Sequence, residues 1–383
     1  MISLVIIKIL FWTSAGLVFY AYFIYPAILC FFKRGDSLQN QIYELPHVSL
    51  IVSVYNEEKV LPEKIRNILS IDYPKDKLEV VIASDGSNDN TNKIVSEYSK
   101  DGVKLIAFTE RSGKVNVLNK VIPELKGDIV ALSDANTFYK SNAIRKLVRN
   151  FYDPKVGCVC GELVFQSPKD SEIGKLEGFY WRYEQFLKRV EGSNGSLLGA
   201  NGGIYAIRKS LFKPLPSNTI VEDFVLPMKM LEKGYAVIYE PGAIAYEETS
   251  KKMIQEMERR VRIGAGDFQA LLLTWRILNP AHGFKAFAYL SHKVIRWFAP
   301  FLLIAAFVAN LILAGNEYYH FILLLQCLFY LAALSGRIFS QFGIRFKLFG
   351  LPYYFISMNI ALFLGFIRFC NNSQSVAWKR TER

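Results

Sequence analysis

Val48-Ser49-Leu50-Ile51-Val52-Ser53-Val54 runs apolar and rich in valine and isoleucine, then stops at the polar group Tyr55-Asn56-Glu57-Glu58. The same device recurs three times downstream. Leu78–Ala83 ends in Ser84-Asp85-Gly86-Ser87, Val103–Phe108 leads into Arg111-Ser112-Gly113-Lys114, and Asp128–Leu132 ends in Ser133-Asp134-Ala135-Asn136. Between these strands, helical spacing appears at Glu58–Leu69 (Val60, Ile65, Ile68, Leu69), Thr91–Tyr98, Lys114–Val121 and Ser141–Phe151, before a last apolar strand at Val156–Val164. Short, nearly continuous apolar strands alternating with helices predict an α/β domain, Rossmann-like, with a mostly parallel sheet covered on both faces. Right-handed crossovers make it doubly wound. Ligands in such folds bind beyond the carboxyl ends of the strands, where all four polar clusters fall. One Asp-Gly or Ser-Gly is ordinary turn chemistry; four clusters on one edge point to a site.

Outward from this domain the chain turns apolar. Ile9–Phe32, Phe298–Ala314, Tyr318–Leu334 and Phe349–Ile367 carry no charged residue, and a bilayer span needs roughly 17–25 such residues. Across all 383 residues, 51% are hydrophobic and 21% charged. Disorder, a secreted disulfide scaffold and a purely soluble protein are excluded. The expected layout is a transmembrane anchor at 1–34, a polar domain at 46–278, an interfacial segment at 279–297, transmembrane helices at 298–370 and a basic tail at 371–383. The first apolar stretch is longer than a signal-peptide core, so it reads as a retained anchor in the lipid bilayer.

The net charge is +12, and much of it flanks the spans. Lys33 and Arg34 follow the first; Lys293 and Arg296 precede the second; Arg337, Arg345 and Lys347 lie between the third and fourth. Cytoplasmic flanks collect such residues, which predicts a multi-pass protein of the cytoplasmic membrane with its polar domain in the cytoplasm. No nucleic-acid module is present, so no nucleic-acid partner is expected. Four straight spans would put the C-terminus outside, yet Arg368, Lys379, Arg380 and Arg383 are the bias of a cytoplasmic tail. A broken or re-entrant last segment at Pro352 reconciles the two, and the C-terminus is predicted to be cytoplasmic. Trp297 and Trp378 read as interfacial anchors, and Cys158 and Cys160 as buried thiols sharing one face of a strand.

No G-x-G-x-x-G follows the first strand and no G-x-x-x-x-G-K-[ST] occurs, which argues against a dinucleotide cofactor and excludes a P-loop ATPase. Carboxylates with one lysine on a strand edge suit a nucleotide diphosphate held with a divalent cation. Asp134 and Asn136 are hard oxygen ligands matching Mg²⁺ or Mn²⁺, Lys114 suits the diphosphate, and Asp85 the base or ribose.

Together these motifs resemble the membrane-embedded family 2 glycosyltransferases, the group of cellulose, hyaluronan and poly-N-acetylglucosamine synthases. The resemblance rests on Tyr55-Asn56-Glu57-Glu58, Ser84-Asp85-Gly86-Ser87, Gly113-Lys114 with Leu118-Asn119, Asp134-Ala135-Asn136, Val221-Glu222-Asp223 and the arginine-rich helix Arg259–Arg262, in that order. It implies a nucleotide-diphospho-sugar transferase fold and inverting transfer from a nucleotide-diphosphate sugar to a growing glycan, or to a lipid-linked acceptor such as a polyprenyl phosphate. The donor is expected to be a UDP-hexose or UDP-N-acetylhexosamine, bound by Tyr55, Asn56, Glu57, Asp85, Lys114, Asp134, Arg259 and Arg262. Asp223, with Glu222 beside it, falls on the family's catalytic carboxylate, and Asp134 with Asn136 on its D-x-D metal motif, whose second aspartate is here the neutral Asn136. Ile263 stands where the family carries a tryptophan. Single displacement needs one carboxylate to take the acceptor proton. Trp181, Asn201 and Gly202 are the expected acceptor residues.

Overall fold

The computed structural model describes residues 2–32, 44–166, 172–248, 253–342 and 347–375. Lys33, Arg34, Arg345 and the tail from 376 onward, with Trp378, fall outside them. Eight strands form one sheet in the order β3-β2-β1-β4-β7-β6-β8-β5. These are β1 (Val48–Val54), β2 (Leu78–Asp85), β3 (Val103–Phe108), β4 (Ile129–Asp134), β5 (Thr137–Tyr139), β6 (Val156–Gln166), β7 (Tyr205–Arg208) and β8 (Ala236–Glu248). The β3-β2-β1-β4 half is wholly parallel. β7 is antiparallel between β4 and β6, β8 runs parallel to β6, and β5 folds back antiparallel onto β8.

Every residue of β1 is buried, because both sheet faces are covered. Leu50, Val52, Val80, Ile82, Ile129 and Ala131 face one core with the helix Leu61–Leu69. Ile51, Val81, Val130 and Leu132 face the other, which runs without a break into Tyr25, Tyr289 and Trp297. Register does the remaining work. Val54 lies level with Ser84 and Ser53 with Asp134, so these parallel strands end together and deliver their polar clusters to one edge.

Helices long and apolar enough to cross a membrane are Ser3–Phe32, Glu317–Ser340 and Leu348–Cys370, with a fourth if Phe284–Trp297 and Ala299–Leu313, bent by 60°, count as one. Phe321, Leu325, Leu328 and Leu331 are exposed along the second of these, a face that would suit lipid. The break expected at Pro352 is not there. Lys347–Cys370 is one helix with Pro352 inside it near its start, where the missing N–H removes a single ladder bond. The sharp bend falls instead at Phe298, just before Pro300 begins the next helix, a position where a proline N–H would have had no partner. Trp297 is also not an interfacial anchor. It is 5% exposed, with its ring 5.5 Å from Phe224 and 5.9 Å from Tyr289, because the bend turns it into the domain core.

Two contacts lock the helices to the domain. His292 places Nδ1 2.6 Å from Glu191 and Nε2 3.2 Å from Glu184, Arg296 donates to Glu184 at 2.6 Å, and Tyr25 donates to Glu191 at 2.8 Å. These groups are almost fully buried, and such a network holds because nearly every charge in it is partnered. The second contact is between the helices Met253–Thr274 and Lys347–Cys370. A Cβ on Gly365 would stand 2.7 Å from Gly264 C and Ala265 N, so only glycine allows that crossing.

Candidate active site

The first cluster closes onto the second. Asn56 adopts φ 53°, its backbone N–H donates to Ser87 Oγ at 3.0 Å, and its side chain exchanges hydrogen bonds with Asn88. Glu57 N–H donates to Thr91 Oγ1 at 2.9 Å. Tyr55 lies under the Arg111 guanidinium, 3.7 Å from ring centre to Cζ. Gly86, at φ +70°, has the Arg111 backbone N 2.7 Å from where a Cβ would be, so the second and third clusters also touch.

Asp85 is held by the third cluster. It has no exposed surface, and its carboxylate accepts from Ser112 N (2.7 Å), Ser112 Oγ (3.2 Å) and Gly113 N (2.9 Å). Its work is to hold the start of the helix Lys114–Val121. That helix begins with Lys114, whose ammonium lies 2.7 Å from Asp134 and 2.9 Å from Glu222. Burial alone would lower the lysine's pKa; Asp134 and Glu222 hold it well above the ordinary range.

Glu222 and Asp223 open the helix Glu222–Glu232, where carboxylates suit the N-terminal dipole. Glu222 is consumed by Lys114. The Asp223 side chain makes no hydrogen bond or ion pair among the described residues, while its backbone carbonyl accepts from Ala200 N at 2.9 Å. Gly202 separates it from the lysine group: a Cβ there would meet Asp223 Oδ2 at 2.9 Å and Asp134 Oδ2 at 3.6 Å. Burial, then Glu222, push the Asp223 carboxyl up to about 6, against Lys114.

Asp134 offers a hard donor: one oxygen meets Lys114, the other faces the Gly202 gap. Among the described residues no three His, Cys, Asp or Glu converge on one point, so a protein-only cage is absent. The set fits a divalent cation that takes most ligands from phosphates and water. The Asn136 amide N donates instead to Glu247 at 2.8 Å, because the turn carrying it is drawn onto β8.

The arginine helix splits its charges. Arg262 reaches the Ile220 carbonyl at 3.4 Å beside the Glu222-Asp223 turn, whereas Arg259 is more exposed and ion-paired with Glu256 at 3.0 Å. On the other wall, Trp181 donates to the Leu163 carbonyl at 3.0 Å and packs 4.7 Å from Phe165. Asn201 takes Lys188 on its oxygen and donates to the Gly161 carbonyl at 2.8 Å. Both are pinned to β6 by protein contacts.

Lys64 was not among the expected residues. It is 1% exposed, donating to Ser133 Oγ at 2.7 Å and to the Thr137 carbonyl directly behind Asp134, and burial lowers its pKa to about 7. Its signal was in the sequence: it occupies the i+3 position of the apolar stripe Leu61, Ile65, Ile68.

Residues 49–215 match the family model described as glycosyl transferase family 2. The matched stretch is somewhat under half of the chain. The match ends before Glu222-Asp223 and the arginine helix. The chain is 28% identical over 235 residues to a poly-beta-1,6-N-acetyl-D-glucosamine synthase of Staphylococcus aureus, covering 60% of this chain and 56% of that one. It is 26% identical over 247 residues to the synthase of the same name from Staphylococcus epidermidis, covering 63% and 59%. The match thus spans little more than half the length of these relatives. A mannosyltransferase from Pyrobaculum calidifontis, solved with GDP-Man and Mn²⁺, superposes with a TM-score of 0.72 at 22% identity over 96% of this chain and 99% of that one. At that identity the likeness is one of fold, and it extends over the helices long and apolar enough to cross a membrane.

Proposed function

We propose that this chain is an inverting glycosyltransferase that moves a sugar from a nucleotide-diphosphate donor to a hydroxyl of a growing glycan in surface-polysaccharide synthesis. It would work as a multi-pass protein of the cytoplasmic membrane with its catalytic domain in the cytoplasm. The donor is a UDP-hexose or UDP-N-acetylhexosamine, and the staphylococcal relatives favour UDP-N-acetylglucosamine. One observation carries the reading: Asp223, unpartnered and with a raised pKa, lies across Gly202 from the Lys114–Asp134 pair. That proximity supports reading Asp223 as a base and the Lys114–Asp134 pair as a diphosphate site beside one small gap.

The roles follow from that placement. Lys114 and Arg262 supply cationic charge for the diphosphate, which is a leaving group and needs no protonation once its charge is neutralised. Asp134 would hold a Mg²⁺ or Mn²⁺ ion, which when bound neutralises phosphate charge. Asp223 takes the proton of the acceptor hydroxyl as its oxygen attacks the anomeric carbon from the face opposite the departing diphosphate, which inverts the centre. A base with a pKa near the operating pH suits that step. A phosphate acceptor would already be ionised and would meet Asp223, Glu222 and Asp134, so the polyprenyl-phosphate reading is disfavoured. The test is a donor panel of UDP-glucose, UDP-N-acetylglucosamine and their galactose analogues, scored by nucleotide release and product mass. Transfer from none of them rejects the proposal.

A further inference from the structure

Two parts of the molecule meet on the residue after Asp223. The Asp223 carbonyl accepts from Ala200 N at 2.9 Å, and the ring of Phe224 presses on Gly199, where a Cβ would stand 2.5 Å from Phe224 Cδ2. The same ring meets the segment Phe284–Trp297, which leads into the bent apolar helix. Trp297 stands 5.5 Å from it at 65° and Tyr289 6.2 Å at 41°, with 5.9 Å between those two rings. These are contact distances for aromatic pairs. A π-helical turn at Tyr289–Val294 resets the helical phase, so that Tyr289 and Trp297 reach one ring. Such turns are rare and often mark functional sites.

Both rings of that segment are held. Trp297 is 5% exposed and Tyr289 fully buried, and the Tyr289 hydroxyl shares a hydrogen bond with Thr274 Oγ1 at 2.7 Å. Arg296, next to Trp297, donates to Glu184 at 2.6 Å and to the Ala21 carbonyl at 3.4 Å. Directly after Trp297 the chain bends by 60°. The Asp223 carboxylate, without a hydrogen bond or ion pair among the described residues, is placed through its own backbone and the ring that follows it.

We propose that Trp297 is a positioning residue for the reaction: through Phe224 it holds the Asp223 carboxylate where proton transfer from the acceptor hydroxyl needs it. A general base works only within hydrogen-bond reach, and small misplacements at a reacting centre are costly. Donor binding asks nothing of this contact, because Lys114 starts another helix and Asp134 ends β4. The segment leading into an apolar helix thereby sets the placement of the base. The inference rests on the glycosyl-transfer reading above.

The test uses the full chain in lipid nanodiscs, with the UDP-sugar of the donor panel on which the parent turns over. Trp297→Ala should lower kcat about tenfold or more while donor KM and UDP affinity by calorimetry stay within about twofold, the split expected when only the reacting geometry is disturbed. Trp297→Phe, which keeps a ring, should restore kcat to within about threefold of the parent. Phe224→Leu removes the other ring and should lose as much as Trp297→Ala. The double variant should lose no more than about twofold beyond the worse single one, because residues acting through one contact are not additive. Phe307→Ala removes a ring 5.7 Å from Tyr330 between two other apolar helices and should keep the parent's kcat even where its Tm falls. Parental kcat in Trp297→Ala overturns the proposal, as does parental kcat in Phe224→Leu should Trp297→Ala not fold. Losses that multiply in the double variant, an equal loss of UDP affinity, or an equal loss of kcat in Phe307→Ala overturn it too, each marking Trp297 as core filling. No nucleotide release by the parent from any donor of the panel would instead reject the glycosyl-transfer reading, and this inference with it.

Discussion

Lys114 Nζ stands 2.7 Å from Asp134 Oδ1, which ties the residue proposed for the diphosphate to the one proposed for the metal ion. On the proposed roles a bound donor would loosen that pair, since its phosphates and their cation would compete for the ammonium and the carboxylate. Glu222, 2.9 Å from the same ammonium, would then still hold the lysine.

Lys114→Met removes the charge from a helix start that Asp85 still fixes. Charge-assisted hydrogen bonds are worth about 1.5–3 kcal/mol, so UDP affinity should fall roughly 10- to 100-fold. Calorimetry with UDP and Mn²⁺ checks this. An unaltered Kd would remove Lys114 from the donor site.

Gly202→Ala places a methyl 2.9 Å from Asp223 Oδ2, nearer than a carbon and an oxygen tolerate. The carboxylate must move, and small misplacements at a reacting centre cost up to about 10²-fold. The expected result is a kcat lowered at least tenfold with UDP binding kept. Parental kcat would show that the gap is wider than the contact distances imply.

Asp134→Ala should abolish most of the Mn²⁺-dependent gain in UDP affinity, whereas Asn136→Ala should cost less, since the Asn136 amide is turned toward Glu247. Titrating Mn²⁺ at fixed UDP distinguishes them. The ordering fails if Asn136→Ala is as damaging as Asp134→Ala, or if a chelator changes neither.

Gly365→Leu forces a side chain into backbone 2.7 Å away at the crossing with the arginine helix. Overpacking of this kind costs about 1–3 kcal/mol, and the displaced helix carries Arg262. A lower Tm together with weaker UDP binding is expected. A Tm equal to the parent's would mean the two helices separate without cost.

The parallel half of the fold was legible because β1 through β4 are apolar runs that each end in a polar cluster. β7 and β5 were not, being four and three residues long and held by pairing with neighbours distant in sequence. The clustering of Lys114, Asp134 and Glu222-Asp223 was readable from motif order. The inward turn of Asp85 was not, since a strand-end aspartate reads alike whether it meets a ligand or a backbone amide. Lys64 was visible as a charge in an apolar stripe, but the partners that make burial tolerable, Ser133 and Thr137, lie about 70 residues away.

The central claim is that Asp223 removes the acceptor proton. Raised to about 6 by burial and Glu222, it is ionised and competent above that pH and protonated and idle below it. The parent's kcat/KM should therefore fall as pH drops through about 6. The most direct measurement is nucleotide release and product formation by Asp223→Asn beside the parent, with UDP affinity determined on the same preparations. Loss of a general base costs roughly 10²–10⁴ in rate, so the account expects a drop of that size with UDP affinity nearly unchanged. Near-parental turnover by Asp223→Asn would contradict it.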